Sequence, residues 1–139
     1  MNIMLVILVW VFAIGSALSL PTKVALASHV ISNFASSGQK TLITTQFWTG
    51  PNCQGHELKF VVVSQPKNGK IIQTTSRQWL NSTEIKSTRP QVCEGRNLPI
   101  SKVYYQSRLG YQGSDNFSVR WKNLVTGKIK ERDYTVNVQ

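Results

Sequence analysis

Carboxylates are scarce in this chain: six Asp and Glu stand against 16 Lys and Arg, for a formal net charge of +10. Asp115 and Asp133 are the only aspartates, which argues against a cadherin-type calcium cage, since such sites gather several carboxylates around the ion. The two histidines, His29 and His56, lie far apart, and His56 has a carboxylate beside it only in Glu57. Neighbouring residues on a strand point to opposite faces, so that pair makes a poor acid–base dyad. There is no glycine-rich phosphate loop, nucleophile elbow or zinc-helix motif. No cofactor or metal is therefore expected. No segment keeps a helical period, and the apolar run at residues 3–14 is shorter than the roughly 20 residues that cross a bilayer.

That short run suits an export signal. Small residues follow it, with Ala17-Leu18-Ser19 as the nearest small-x-small triplet and Ala25-Leu26-Ala27 as a later one. The expectation is a signal peptide over residues 1–19, with cleavage as late as 27, and one domain over 28–139. The alternative is an uncleaved N-terminal anchor, since no Lys or Arg precedes the run. Cleavage removes Lys23 at most, so the basic balance survives it. A secreted or periplasmic destination follows, with no transmembrane span after cleavage. Two cysteines, Cys53 and Cys93, fall in the mature part, and an even count in an exported chain points to a disulfide between them. The competing reading is a metal site at Cys53 and His56, which lacks a second close pair of ligands.

The rest reads as short strands. Residues 41–48 make the first, ended by the turn cluster Thr49-Gly50-Pro51-Asn52. Residues 58–63 are apolar almost throughout, which predicts a central strand covered on both faces. Pro66-Lys67-Asn68-Gly69 predicts a hairpin turn, with Asn-Gly supplying positive φ. The polar passage 73–99 predicts a disulfide-anchored crossover loop with one short strand near Trp79-Leu80. Residues 101–106 put Val103 and Tyr105 on one face and Lys102 and Tyr104 on the other. Phe117, Val119 and Trp121 alternate with Ser118, Arg120 and Lys122, and the last strand holds Tyr134, Val136 and Val138 at the same period. The expected core is Phe60, Val62, Phe117, Val119, Trp121, Tyr134 and Val136. If Phe117 and Tyr134 share the core face, Arg120 and Lys122 share the outer one with Glu131 and Asp133, and the surplus charge of this hairpin lies at Lys128, Lys130 and Arg132.

Between these strands sits a corner. Gly110 and Gly113 bracket Tyr111 and admit positive φ, Asp115 can cap nearby backbone N–H groups, and Tyr111 can tuck beneath. Taken with Ser64-Gln65-Pro66-Lys67-Asn68-Gly69 and Val103-Tyr104-Tyr105, the string Gly110-Tyr111-Gln112-Gly113-Ser114-Asp115-Asn116-Phe117 resembles the bacterial Ig-like/cadherin-like modules of extracytoplasmic proteins. Their order of motifs is a P-x-x-G turn, a Y strand and a G-Y-x-G-x-D-x-F corner. The resemblance implies an all-β, Ig-like antiparallel sandwich, with Gly110, Tyr111, Gly113, Asp115 and Phe117 as its structural corner. It implies no activity, because one sandwich hosts many.

The functional expectation is an exported, non-catalytic binding or structural module. Trp79, Lys86, Arg89 and Arg96 in the polar passage are the candidate contact residues, an exposed tryptophan being a common anchor. The partner is an unknown protein or an anionic glycan or lipid surface, to which so basic a domain is drawn in a salt-sensitive way; nucleic acid is disfavoured. A small basic secreted enzyme such as a ribonuclease is the alternative, as is an inhibitor of another exported protein. Asn81-Ser82-Thr83 and Asn116-Phe117-Ser118 are sequons, of little weight in a chain that resembles bacterial modules.

Overall fold

The computed structural model describes residues 30–81 and 93–139; the expected signal segment, Lys86 and Arg89 lie outside them. Among the described residues nine strands follow in chain order: β1 (Val30–Ala35), β2 (Lys40–Gln46), β3 (Trp48–Thr49), β4 (Gly55–His56), β5 (Leu58–Ser64), β6 (Gly69–Trp79), β7 (Asn97–Ser107), β8 (Gly113–Asn123) and β9 (Ile129–Val138). No helix occurs among the described residues, so none there is long and apolar enough to cross a membrane.

The strands form a sandwich of two sheets. One is four-stranded in the order β1-β9-β8-β5, the other three-stranded in the order β2-β7-β6, and β3 with β4 makes a separate two-stranded ribbon. Alternation along β8 decides the packing. Phe117, Val119 and Trp121 are almost wholly buried, and they meet Val103 and Tyr105 of the other sheet, also buried, in one core with Tyr134, Val136 and Val138. Tyr105, Phe117 and Tyr134 stack across the sandwich with ring centroids 6.2 and 5.3 Å apart. The β8–β9 register sets Phe117 opposite Tyr134 and Arg120 opposite Glu131, the offset that puts Phe117, Val119, Trp121, Tyr134, Val136 and Val138 inside.

Several expectations need correction. β1 pairs with β9 in parallel, so the sandwich is not wholly antiparallel. β5 is an edge strand and not a central one: it pairs only with β8, and Val61 and Val63 are 43% and 44% exposed. Phe60 and Val62 face inward from this edge and are half-buried. Residues 66–69 are not a hairpin but a crossing from the four-stranded sheet to the three-stranded one. Gly69 is not among the residues with positive φ; it is needed because a Cβ there would lie 2.4 Å from the Tyr105 ring and 2.7 Å from the Gln106 carbonyl oxygen. Residues 73–79 and 97–99 of the supposed loop are strand, since β6 and β7 pair from Gly69–Ser107 to Trp79–Asn97.

The corner holds the crossing in place. Asp115 is buried, and its carboxylate accepts hydrogen bonds from Lys67 N–H and Asn116 N–H at Oδ1 (2.9 and 3.0 Å) and from Asn68 N–H and Tyr105 O–H at Oδ2 (2.8 and 3.1 Å). The carboxylate thus ties β8 to the crossing and to β7. Gly110 and Gly113 both have positive φ, and the Tyr111 hydroxyl donates to the Ser114 carbonyl at 2.8 Å.

Candidate binding surface

β6 and β7 run past the end of β2, whose last partner on β7 is Ser101. Beyond it β7 has lost its neighbour on that side, and the chain from Phe47 to His56 fills the place. Gly55 sits so close to Pro99 and Leu98 that a Cβ there would come within 2.3 Å of the proline ring. The excursion is fastened by the Cys53–Cys93 disulfide, as the sequence led one to expect, with Cα atoms 5.2 Å apart. Both cysteines pack with Leu80, Leu98 and Ile100 in a cluster separate from the main core, with Phe47 against it. Cys53 has φ of 56°, a left-handed conformation that costs a non-glycine residue about 1–2 kcal/mol. The turn around it is closed by Cys53 N–H to the Gly50 carbonyl and Gly50 N–H to the Gln54 carbonyl (3.1 and 2.8 Å). Across from it the hairpin neck is closed by Leu80 N–H to the Arg96 carbonyl and Gly95 N–H to the Leu80 carbonyl, both 2.9 Å.

Between turn and neck lies an open cleft of about 560 Å³, lined among others by Asn52, Gln54, Arg77, Trp79, Arg96 and Asn97. Trp79 is 69% exposed. It stands at the end of β6, paired with Asn97, and so on a strand and not on a loop. Arg77, two residues earlier and therefore on the same side of the strand, is fixed by donation from Nη2 to the Asn97 carbonyl at 2.8 Å. Arg96 is also exposed. The cleft thus offers an aromatic plate, two guanidinium groups and three side-chain amides. No carboxylate of the described residues is in its lining.

Of the candidate residues, the structure brings Trp79 and Arg96 together and adds Arg77, Asn52 and Gln54, which sequence reasoning missed. The signal for Arg77 was present: the i, i+2 spacing to Trp79 on a strand. Asn52 and Gln54 flank Cys53, whose bond to Cys93 helps fasten them at the cleft. The metal reading finds no support in the geometry, for Cys53 is bonded to Cys93 and His56 is engaged elsewhere. Asn123 Oδ1 accepts from Val125 N–H and Thr126 N–H (2.9 and 3.0 Å), so its amide nitrogen faces His56 Nδ1 at 2.9 Å and that ring nitrogen is the acceptor. No group of three His, Cys, Asp or Glu among the described residues could hold a metal ion. The basic residues near the β8–β9 turn do not form one free patch. Lys130 Nζ donates to Gln46 Oε1 at 2.8 Å, and burial, with Arg132 adding to it, pushes this ammonium below its usual pKa.

Compared with family models, with curated proteins and with solved structures, the chain matches none.

Proposed function

We propose that this protein is an exported, non-catalytic binding module of the Ig-like class, and that the Trp79 cleft grips acidic carbohydrate. The observation that carries the reading is the pairing of an exposed tryptophan with Arg77 and Arg96 in a cleft whose lining, among the described residues, holds no carboxylate. An indole presents a flat apolar face against which a sugar ring packs, while a guanidinium fork matches a carboxylate or sulfate in two hydrogen bonds. The side-chain amides of Asn52, Gln54 and Asn97 suit hydroxyl groups, which both donate and accept.

The class assignment is supported by strand order. Leaving aside the small β3–β4 ribbon, the second, fifth and fourth long strands form one sheet and the third, sixth and seventh lie in the other, the arrangement of immunoglobulin domains. The first strand departs from the constant-type pattern by joining the seventh. Export is supported by the disulfide, a bond that persists in oxidising compartments.

The test is a titration of the protein with a short uronic-acid oligosaccharide, followed by tryptophan fluorescence and calorimetry. Trp79→Ala is expected to weaken binding roughly tenfold or more, as for a central aromatic anchor, and Arg77→Gln with Arg96→Gln to a similar extent. Binding by Trp79→Ala equal to that of the parent, or none by the parent, overturns the reading.

A further inference from the structure

The three strands of the smaller sheet, β2, β6 and β7, carry Lys40, Lys70, Arg77 and Lys102 and not one carboxylate. Register places three of these cations on one face. On β7 the buried residues Ser101, Val103, Tyr105 and Ser107 point inward, so Lys102, Tyr104 and Gln106, which are half-exposed, point outward. Their partners share that face: Lys40 and Lys70 flank Gln106, Leu42 and Ile72 flank Tyr104, and Thr45 and Thr74 flank Lys102. Lys40 and Lys70, two strands apart, are separated by roughly 10 Å, and successive rows by about 7 Å. At the upper rim, Gly38, Gly69, Lys70, Gln106 and Arg108 are among the residues that line a groove of about 530 Å³.

The outer face of the larger sheet is different in kind. There Arg120 is paired with Glu131 at 2.7 Å, and the same face carries Asp133 opposite Ser118 as well as Lys59 opposite Lys122, a mixed field. Among the described residues, the outer face of the smaller sheet is therefore the one that carries lysines and no carboxylate.

We propose that the outer face of the three-stranded sheet, with Lys40, Lys70 and Lys102 as its contacts and the Lys70–Arg108 groove at its rim, is a docking surface for an extended sulfated polysaccharide. Charge complementarity selects a polyanion. The chemistry of Tyr104 separates the kinds of polyanion: it is the aromatic ring of this face, and Lys40 Nζ already sits over it at 4.7 Å from the centroid. Stacking platforms for single-stranded nucleic acid leave their rings open to bases. Here the ring serves to hold an ammonium instead. Ammonium groups are compact point charges, suited to sulfates presented at repeating intervals. This surface is distinct from the Trp79 cleft, and either can fail without the other.

The experiment compares two variants of equal charge on the full folded protein. One is Lys40→Gln, Lys70→Gln and Lys102→Gln; the other is Lys59→Gln, Lys122→Gln and Lys128→Gln. Affinity for heparin is measured against sodium chloride concentration. The first triple is expected to weaken binding about tenfold near physiological salt and to flatten the log–log salt dependence by about one unit per lysine removed, and the second to change neither appreciably. Equal losses in both overturn the proposal, since net charge alone then accounts for binding. So does tighter binding of phosphatidylglycerol vesicles or of single-stranded DNA through the same lysines, which would make a lipid surface or nucleic acid the occupant. Should the first triple melt early, single Lys70→Gln and Lys102→Gln variants, which leave the Lys40–Tyr104 contact intact, must each lower the slope by about one. Both triples are also compared in a Trp79→Ala background, where the difference between them must persist, so that heparin held by the cleft does not count toward either.

Discussion

Four donors converge on the carboxylate of Asp115, three of them backbone N–H groups and one the Tyr105 hydroxyl. An amide of the same shape cannot serve them, because its nitrogen would face donors. Asp115→Asn is therefore expected to destabilise by about 3 kcal/mol, the scale of losing charge-assisted bonds and stranding buried donors; a shift of the urea midpoint by less than a third of that would refute the clasp. Tyr105 adds a pH dependence. Burial first, and then the bond to Asp115, hold its phenol proton well above the usual tyrosine range, and burial raises Tyr134 as well. The folded state thus keeps protons that the unfolded chain releases near pH 10. The stability tied to each tyrosine is complete below that pH and lost as pH rises above it, for Tyr105 at a slope of up to about 1.4 kcal/mol per pH unit. Alkaline titration of the unfolding free energy should show this fall, and Tyr105→Phe should remove one proton's worth of slope. Asp115 could be read from sequence as a capping residue, but not what it caps, since Lys67 and Asn68 are brought to it by a change of sheet.

Strands were legible where their two faces differ. β8 and β9 alternate cleanly, and both strand type and register followed from that. β1 was missed because Val30, Ile31, Phe34 and Ala35 scatter apolar groups over both sides, with Phe34 68% exposed. β5 misled in the opposite direction: its unbroken apolar run reads as doubly covered, yet it lies at an edge. The polar half of β6 passed for loop because its residues extend beyond the main core, where nothing demands apolar side chains. The same extension creates the cleft, so the feature that hid the strand is the one that makes Trp79 a candidate. The Cys53–Cys93 bond closes a separation of 40 residues, for which the chain-entropy account gives roughly 4 kcal/mol. Replacing both cysteines by serine should lower stability by about that amount and, because the bond fastens one wall of the cleft to the other, weaken oligosaccharide binding as well. Unchanged binding in a folded double variant would show that the cleft keeps its shape without the bond.

At the scale of the molecule, the sequence disclosed the excess of positive charge but not its layout. Reading along the chain placed the surplus in the passage holding Lys86, Arg89 and Arg96. Lys86 and Arg89 lie outside the described residues; among those described, strand order gathers Lys40, Lys70 and Lys102, distant in sequence, on one face, and pairs Arg120 with Glu131 on the other. Which lysines share a face depends on the neighbours of each strand, and that information is non-local. The parallel pairing of β1 with β9 has a mechanical consequence. Six residue pairs join the two strands, from Val30 beside Asp133 to Ala35 beside Val138. A load applied through the chain ahead of Val30 and behind Val138 draws the strands in opposite directions along their own length. Every hydrogen bond of the pair then bears the tension together, where peeling would break them one at a time. A molecule anchored at one end and pulled at the other is thus met by a seam loaded in shear.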